Sequence, residues 1–520
     1  MGGSGSGKTT LLNILNGNIK PQKGELLING KNFVSHQEIK SLIGYVPQDD
    51  SLIEELTIFE NLYYMSRFCY SGLTKSEHTE LVNNLLIEID LFEVKDLKVG
   101  SMLNKFISGG QRKRLNIALE LIREPQILLV DEPTSGLSSA DAERIIYLLA
   151  EQVTKGRLVI TNIHQPSSDI FKLFDKLILL DKGGYPAYEG SPAEVFEYFR
   201  QKTGRIDVFK SFTKHGYFIP EEIFRLLEEK KLDDYGEIVN ERIREPEEWH
   251  QYYLNEIKGK RKDVAGESLR ELPMTNLQKP NRLKQTGIYF SRNFKTKLGD
   301  YQYMLISLLI APVLAIILGY FTKNTQLNEA GNAYYLFSTN ENIPSFFFMS
   351  VIVSLFIGLI VSAEEIIDDK KLLLRESFLS LSKSAYLHSK IFFLFLLSFI
   401  QTALYVVLSI IILKIPDIGI KLFLILFSLS CFANILGLVI SALMRSVIAI
   451  YITIPLILIP QLLLSGVVVD YEDLHYSISS PRYTPVAGDL MASRWGLEAL
   501  MVEQFKNTST KKCCTLSKRK

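Results

Sequence analysis

The chain has 520 residues, a net charge of +1, 47% hydrophobic and 22% charged residues. That length exceeds a usual single domain, so at least two domains are expected, and the balanced charge gives no footprint for nucleic acid. Four cysteines, two of them side by side at Cys513 and Cys514, supply neither a disulfide framework nor a zinc pattern.

The first predicted element is a glycine-rich loop, Gly2-Gly3-Ser4-Gly5-Ser6-Gly7-Lys8-Thr9-Thr10, running into a helix with Leu11, Leu12, Ile14 and Leu15. Its glycines let successive N–H groups turn inward as an anion nest, and the helix start adds its positive dipole end. In this pattern Lys8 reaches the β- and γ-phosphates of a nucleotide, and the Thr9 hydroxyl ligates Mg²⁺. Next comes "YVPQDD", which presents Gln48, and then Thr74-Lys75-Ser76-Glu77, a capping box that predicts a helix start. Ser108-Gly109-Gly110-Gln111 caps a further helix, whose apolar Leu115, Ala118, Leu119 and Ile122 keep helical spacing. Two glycines at that start permit close approach of phosphate, so this is a second anion site. Ile127–Val130 reads as a buried strand delivering two acids: Asp131 for the Mg²⁺ shell and Glu132 to polarise an attacking water. Another apolar strand ends at His164.

Residues 201–282 are charged and poor in large apolar runs, and read as a linker or accessory region of solvated helices. Over 283–302, Phe290, Phe294 and Leu298 recur every four residues between Arg292, Lys295 and Lys297, which predicts an amphipathic helix at a membrane interface. From 303 to 520 the composition becomes membrane-like, with five uncharged apolar runs at about 304–321, 343–363, 391–413, 422–444 and 446–469. Basic residues fall unevenly between them. Arg282, Lys284, Arg292, Lys295 and Lys297 precede the first run, and Lys370, Lys371, Arg375, Lys383 and Lys390 separate the second from the third. Lys323 alone follows the first, so the segment before the first span is expected on the cytoplasmic side. Gln401, Asn434 and Gln461 are the notable amides within the runs, and joining helices is their expected use.

Phosphate loop, glutamine, SGGQ, Asp-Glu and histidine, in that order over the first 200 residues, resemble the nucleotide-binding domain of ABC transporters. With the ATPase first, the membrane domain second, and "IHQPSSDIFKLFDKLILLDKGGYPAYEG" and "ASRWGLEALMVEQF", the chain resembles the G (White-type) subfamily and its bacterial relatives. The resemblance implies an α/β phosphate-loop ATPase domain over 1–200 with an α-helical subdomain, followed by an all-α polytopic membrane domain of the ABC-2 type. It implies ATP and Mg²⁺ as cofactors, with Thr9, Gln48 and Asp131 around the metal. Gln48 then senses the γ-phosphate, Ser108–Gln111 is the signature, Glu132 is the catalytic acid beside Asp131, and His164 is the switch histidine. Residues 283–302 take the place of the connecting helix, and the stretch around Arg375 and Glu376 that of a coupling helix. The family's sites form between two subunits, so the partner is a second copy or a homologous half-transporter, in the lipid bilayer of a plasma or inner membrane.

One departure is "SGLSSAD", where Ser138 stands in place of the usual aspartate. A second concerns the ends. The family has a strand and an adenine-stacking aromatic before the phosphate loop and six spans after it, so this sequence reads as a fragment lacking the first strand and the sixth span. Export of an apolar or amphipathic substrate is the expected function. Two others remain open: ATP-driven mechanical action on extracytoplasmic partners, and a non-hydrolysing interaction protein.

Overall fold

The computed structural model describes all residues except 34–37, 102–103, 165, 205–219, 234, 236, 259–276, 328–332, 336, 338–339, 416–417, 476–484 and 518–520. It divides into two compact units: Met1–Pro280 with Arg375–Leu381, and Asn281–Leu374 with Ser382–Lys520.

In the first unit, Ile127–Asp131 is the middle strand of a parallel sheet, flanked by Ile43–Val46 and Leu158–Asn162. Its sequence ILLVD is apolar at four successive positions because a middle strand of a parallel sheet is covered on both faces. The helix Lys8–Leu15 packs there through Leu12, in one core with Phe33, Ile43 and Leu129. Gly2 pairs in parallel with Leu180, at the end of a strand (Leu177–Leu180) that is antiparallel to Pro186–Gly190.

A helical part follows the sheet's first strand. Its helices Ile58–Cys69, Lys75–Glu88 and Gly109–Leu121 each open with a capping box, at Thr57/Glu60, Thr74/Glu77 and Ser108/Gln111. Each box satisfies two of the orphan donors of a helix start, and the Thr74 box lies where the sequence puts it.

The described parts of 201–282 are not solvated throughout. Helices Pro220–Leu227 and Pro246–Glu256 bury Ile223, Leu227 and Trp249 in one core with Phe171, Leu179 and Phe199. Trp249 and Phe199 meet edge to face at 5.1 Å, a favoured aromatic geometry. Residues 205–219 and 259–276 of this region lie outside the described residues.

Among the described residues of the second unit, four helices are long and apolar enough to cross a membrane: Tyr301–Thr322, Ile343–Asp368, Lys383–Leu413 and Gly419–Leu443. The fifth apolar run forms a shorter helix, Val447–Leu463, carrying Pro455 and Pro460. Ile343–Ser362 and Gly419–Leu443 approach closely because Gly358 and Gly437 lack side chains. A Cβ on Gly358 would lie 2.7 Å from Ala433 Cβ, and one on Gly437 would run into the Ser362 hydroxyl. The amides join helices as expected. Gln401 Nε2 donates to Ser307 O at 2.7 Å, Asn434 Nδ2 to Ser398 Oγ at 2.7 Å, and Ser493 N to Gln461 Oε1 at 2.9 Å.

The helix Arg282–Gly299 is present, but its buried face is Gln285, Ile288, Tyr289, Arg292 and Asn293. Phe294 and Leu298 of the apolar stripe are exposed. Polar residues are buried there because they find partners: Lys390 Nζ donates to Asn293 Oδ1 at 3.0 Å, and Ser382 N to Gln285 Oε1 at 2.9 Å.

Candidate functional site

The phosphate loop turns on Gly5 and Gly7, with φ of 76° and 86°, in the left-handed region that glycine tolerates. Gly7 is the N-cap of the first helix and supplies no side-chain cap, and the helix has no acid in its first turn. The orphan N–H groups of that turn are therefore left to a ligand. Lys8 is buried, and its Nζ donates to Gly2 O at 2.9 Å and Gly3 O at 2.8 Å. Among the described residues no carboxylate lies within ion-pair distance of it. A buried ammonium held only by carbonyls of its own loop is a site waiting for an anion, because burying a charge without a counter-charge is costly.

Thr9 Oγ1 donates to Asp131 Oδ1 at 3.3 Å, and Asn162 Nδ2 donates to the same oxygen at 2.9 Å. Asp131 is 1% exposed at the carboxyl end of the middle strand, and Asn162 is its register partner on the next strand. The following residue, Glu132, has φ 43°, a conformation rare for a non-glycine side chain, and its Oε2 accepts from Gln48 Nε2 at 2.9 Å. Two of the predicted site residues, 84 positions apart, are thereby joined. The residues present fit a Mg²⁺ ion with a nucleotide: the oxygens of Thr9, Asp131 and Gln48 would hold it, with phosphates and water to complete its shell.

Charged residues just past the signature fix the glutamine loop. Lys113 Nζ donates to Gln48 O at 2.6 Å. Burial lowers its pKa, while the carboxylates of Asp50 and Asp131 act in the opposite direction. Arg112 pairs with Asp50 at 3.3 Å and donates to Gly100 O at 2.5 Å. Tyr45, on the strand leading into this loop, has its phenol pushed up to about 12 by burial and then by the Asp131 charge. Its ring lies 6.3 Å from that of Phe378, and Arg375 Nη1 donates to Ser51 O at 2.6 Å, so the stretch Arg375–Leu381 belongs to this unit beside the glutamine loop.

Ser108 and Gln111 bond each other in their capping box. Among the described residues no hydrogen bond joins Ser108–Gln111, or His164, to the phosphate loop; His164 is exposed, two residues beyond the end of its strand. Ser138, the departure in the sequence, is itself a helix N-cap: its Oγ accepts from Asp141 N at 3.2 Å and donates to Asp141 Oδ2 at 2.9 Å. Asp141 in turn lies against the signature, since a Cβ on Gly110 would come within 2.4 Å of Asp141 Oδ1.

Sequence reasoning missed Asn162, Arg112 and Lys113. The signal for the last two was the Arg-Lys-Arg run directly after the signature, a charge run on a helix whose neighbours are buried.

Comparison with known proteins matches residues 1–135 to the family "ABC transporter" and residues 284–505 to "ABC-2 type transporter", with a second ABC-2 type family at 164–219. ABC transporter G family member 28 of Arabidopsis thaliana is 42% identical over 202 residues, 38% of this chain and 18% of that protein. ABC transporter G family member 14 of the same plant is 42% identical over 201 residues, 38% of this chain and 31% of that protein. The rat "Broad substrate specificity ATP-binding cassette transporter ABCG2" is 30% identical over 377 residues, 66% of this chain and 55% of that protein. The match thus spans less than a third of these plant relatives and about half of the rat one.

Proposed function

Because this chain belongs to the ABC transporters, with an ATPase domain ahead of an ABC-2 type membrane domain and G family members among its relatives, we propose that it is an ATP-hydrolysing exporter subunit working as a dimer. The observation that carries the reading is the meeting of Thr9 with Asp131 at 3.3 Å, next to a buried Lys8 that has no counter-charge among the described residues.

On nucleotide binding, Lys8 Nζ exchanges the Gly2 and Gly3 carbonyls for phosphate oxygens, and the loop N–H groups bind the remainder. Thr9 Oγ1 and Asp131 would hold the metal, with Asn162 fixing the Asp131 carboxylate. A Mg²⁺ ion held by Thr9, Gln48 and Asp131 would supply positive charge to offset the charge that develops on the phosphates. Glu132 orients the attacking water and accepts its proton. Gln48 bonds one Glu132 oxygen and leaves the other to orient the water. That makes Gln48 the group linking phosphate to the loop that Lys113 and Arg375 hold.

One phosphate loop and one Ser108–Gln111 signature per chain make two subunits the minimum, each signature facing the partner's phosphate. His164, near the strand ends, contacts the γ-phosphate in the closed pair. The ATPase domain lies on the cytoplasmic side, as the basic residues flanking the apolar helices favour. The cargo is apolar or amphipathic. Glu132→Gln tests the chemistry: ATP binding should persist while turnover falls strongly and a dimer accumulates with ATP. Turnover at the parent rate moves the base elsewhere.

A further inference from the structure

Four apolar helices of the second unit surround a small cavity with a polar wall. Ala311, Ser350, Ser354, Gln401, Tyr405 and Ser430 line it, one or two from each of Tyr301–Thr322, Ile343–Ser362, Lys383–Leu413 and Gly419–Leu443. Its free space is about what one water molecule needs, and the cavity is partly open at its edge.

The wall has more acceptors than donors. Gln401 is 2% exposed; its Nε2 is used on Ser307 O, and its Oε1 has no partner among the described residues. Ser350 Oγ donates its one hydrogen to Phe346 O at 2.7 Å, so in the 2.7 Å contact between Ser350 and Tyr405 the phenol is the donor. Ser354 Oγ donates to Leu426 O at 2.5 Å, and Ser430 Oγ to Ser398 Oγ at 2.9 Å. These hydrogens are spent, leaving the Thr402 hydroxyl as the wall's other donor, while lone pairs remain on Gln401 Oε1, Tyr405 Oη, Ser354 Oγ and Ser430 Oγ. A carbonyl oxygen left unmet away from water is costly, and here no side chain meets it. The group that completes the wall must have one heavy atom and donate two hydrogens. A neutral group suits the wall best, because no carboxylate among the lining residues offsets a charge placed between apolar helices.

We propose that this cavity binds a single water molecule, which donates to Gln401 Oε1 and to a second hydroxyl oxygen of the wall. The water then ties the third apolar helix to its neighbours through a bond that the side chains do not make themselves. The site lies among the helices of one subunit and stands apart from the nucleotide chemistry, so it holds or fails independently of the proposed export activity.

The test is a high-resolution cryo-electron microscopy map of the full chain in lipid nanodiscs, compared with Gln401→Met, which keeps volume and removes the acceptor. The expected result is one isolated peak at hydrogen-bond distance from Gln401 Oε1 in the parent, lost in Gln401→Met while the Ser350–Tyr405 pair persists. A parent map that resolves other ordered waters and has no peak here overturns the proposal. So does a peak that survives in Gln401→Met, an elongated density of lipid or detergent, or a peak whose height follows the ammonium or potassium concentration. If Gln401→Met fails to fold, the parent map still decides.

Discussion

Glu365→Gln is the sharpest probe of how the second unit is held together. Glu365 is 2% exposed, and its two carboxylate oxygens lie 2.6 Å from Lys297 Nζ and 2.7 Å from Lys390 Nζ. A glutamine has nearly the same shape but offers one acceptor oxygen and one donor nitrogen, so one of the two ammonium groups must face an NH₂. Lys390 retains Asp369 at 2.8 Å and Asn293 Oδ1 at 3.0 Å, whereas Lys297 retains the Tyr303 ring at 4.2 Å. Lys297 is therefore the charge left poorly compensated. Removing one partner of a buried ion pair costs about 3–5 kcal/mol, and the surviving partners of Lys390 place the expectation near about 3 kcal/mol. For a unit of this size each kcal/mol moves the midpoint by about 2–4 °C, so thermal unfolding should fall by about 6–12 °C. Circular dichroism of the protein in nanodiscs reads this, with the exposed Asp470→Asn as control, expected to shift by no more than about 1–2 °C. If Glu365→Gln melts with the control, the cluster does not carry the stability assigned to it.

Other expectations follow from the same contacts. Co-expressing a Lys8→Ala chain with a Gly110→Asp chain should restore part of the ATPase activity that either homodimer lacks, because one of the two composite sites stays intact; no recovery would argue against signatures acting across the pair. Burial holds the His78 imidazole below its ordinary value of 6.5, against Ser66 Oγ at 2.6 Å, so the unfolded chain takes up that proton first. Stability of the first unit should therefore fall as pH drops below about 6.5, and His78→Asn should flatten the slope in denaturant titrations; an unchanged slope would refute the assignment. A cysteine at Asn324 should react with an impermeant reagent added outside cells and one at Ser384 should not, with the reverse pattern overturning the orientation.

The site's parts were legible in the sequence because each depends on local chemistry: a glycine that accepts φ of 86°, a lysine one residue on, a strand ending in two acids. Their assembly was less so. Nothing local joins Gln48 to Glu132 or Thr9 to Asp131; the first pair meets because parallel strands end at the same edge, the second because the helix Lys8–Leu15 packs on that sheet. Asn162 could not be read for the same reason, since it matters only as the register partner of Asp131. The segment around Trp249 misled through composition. Its charges suggested solvation, yet Ile223, Leu226 and Leu227, with Trp249 and Tyr253, keep the three- and four-residue spacing of half-buried helices. In Arg282–Gly299 the apolar stripe was visible but not the buried face, because hydrophobicity cannot register that Asn293 and Gln285 have hydrogen-bond partners 97 residues away.

ATP hydrolysis by the purified chain in lipid, measured beside Lys8→Ala, tests the central claim most directly. The account predicts turnover in the parent and none above background in the variant, with weakened nucleotide binding, because Lys8 is the one cation placed within the phosphate loop. Equal turnover in the two would contradict it.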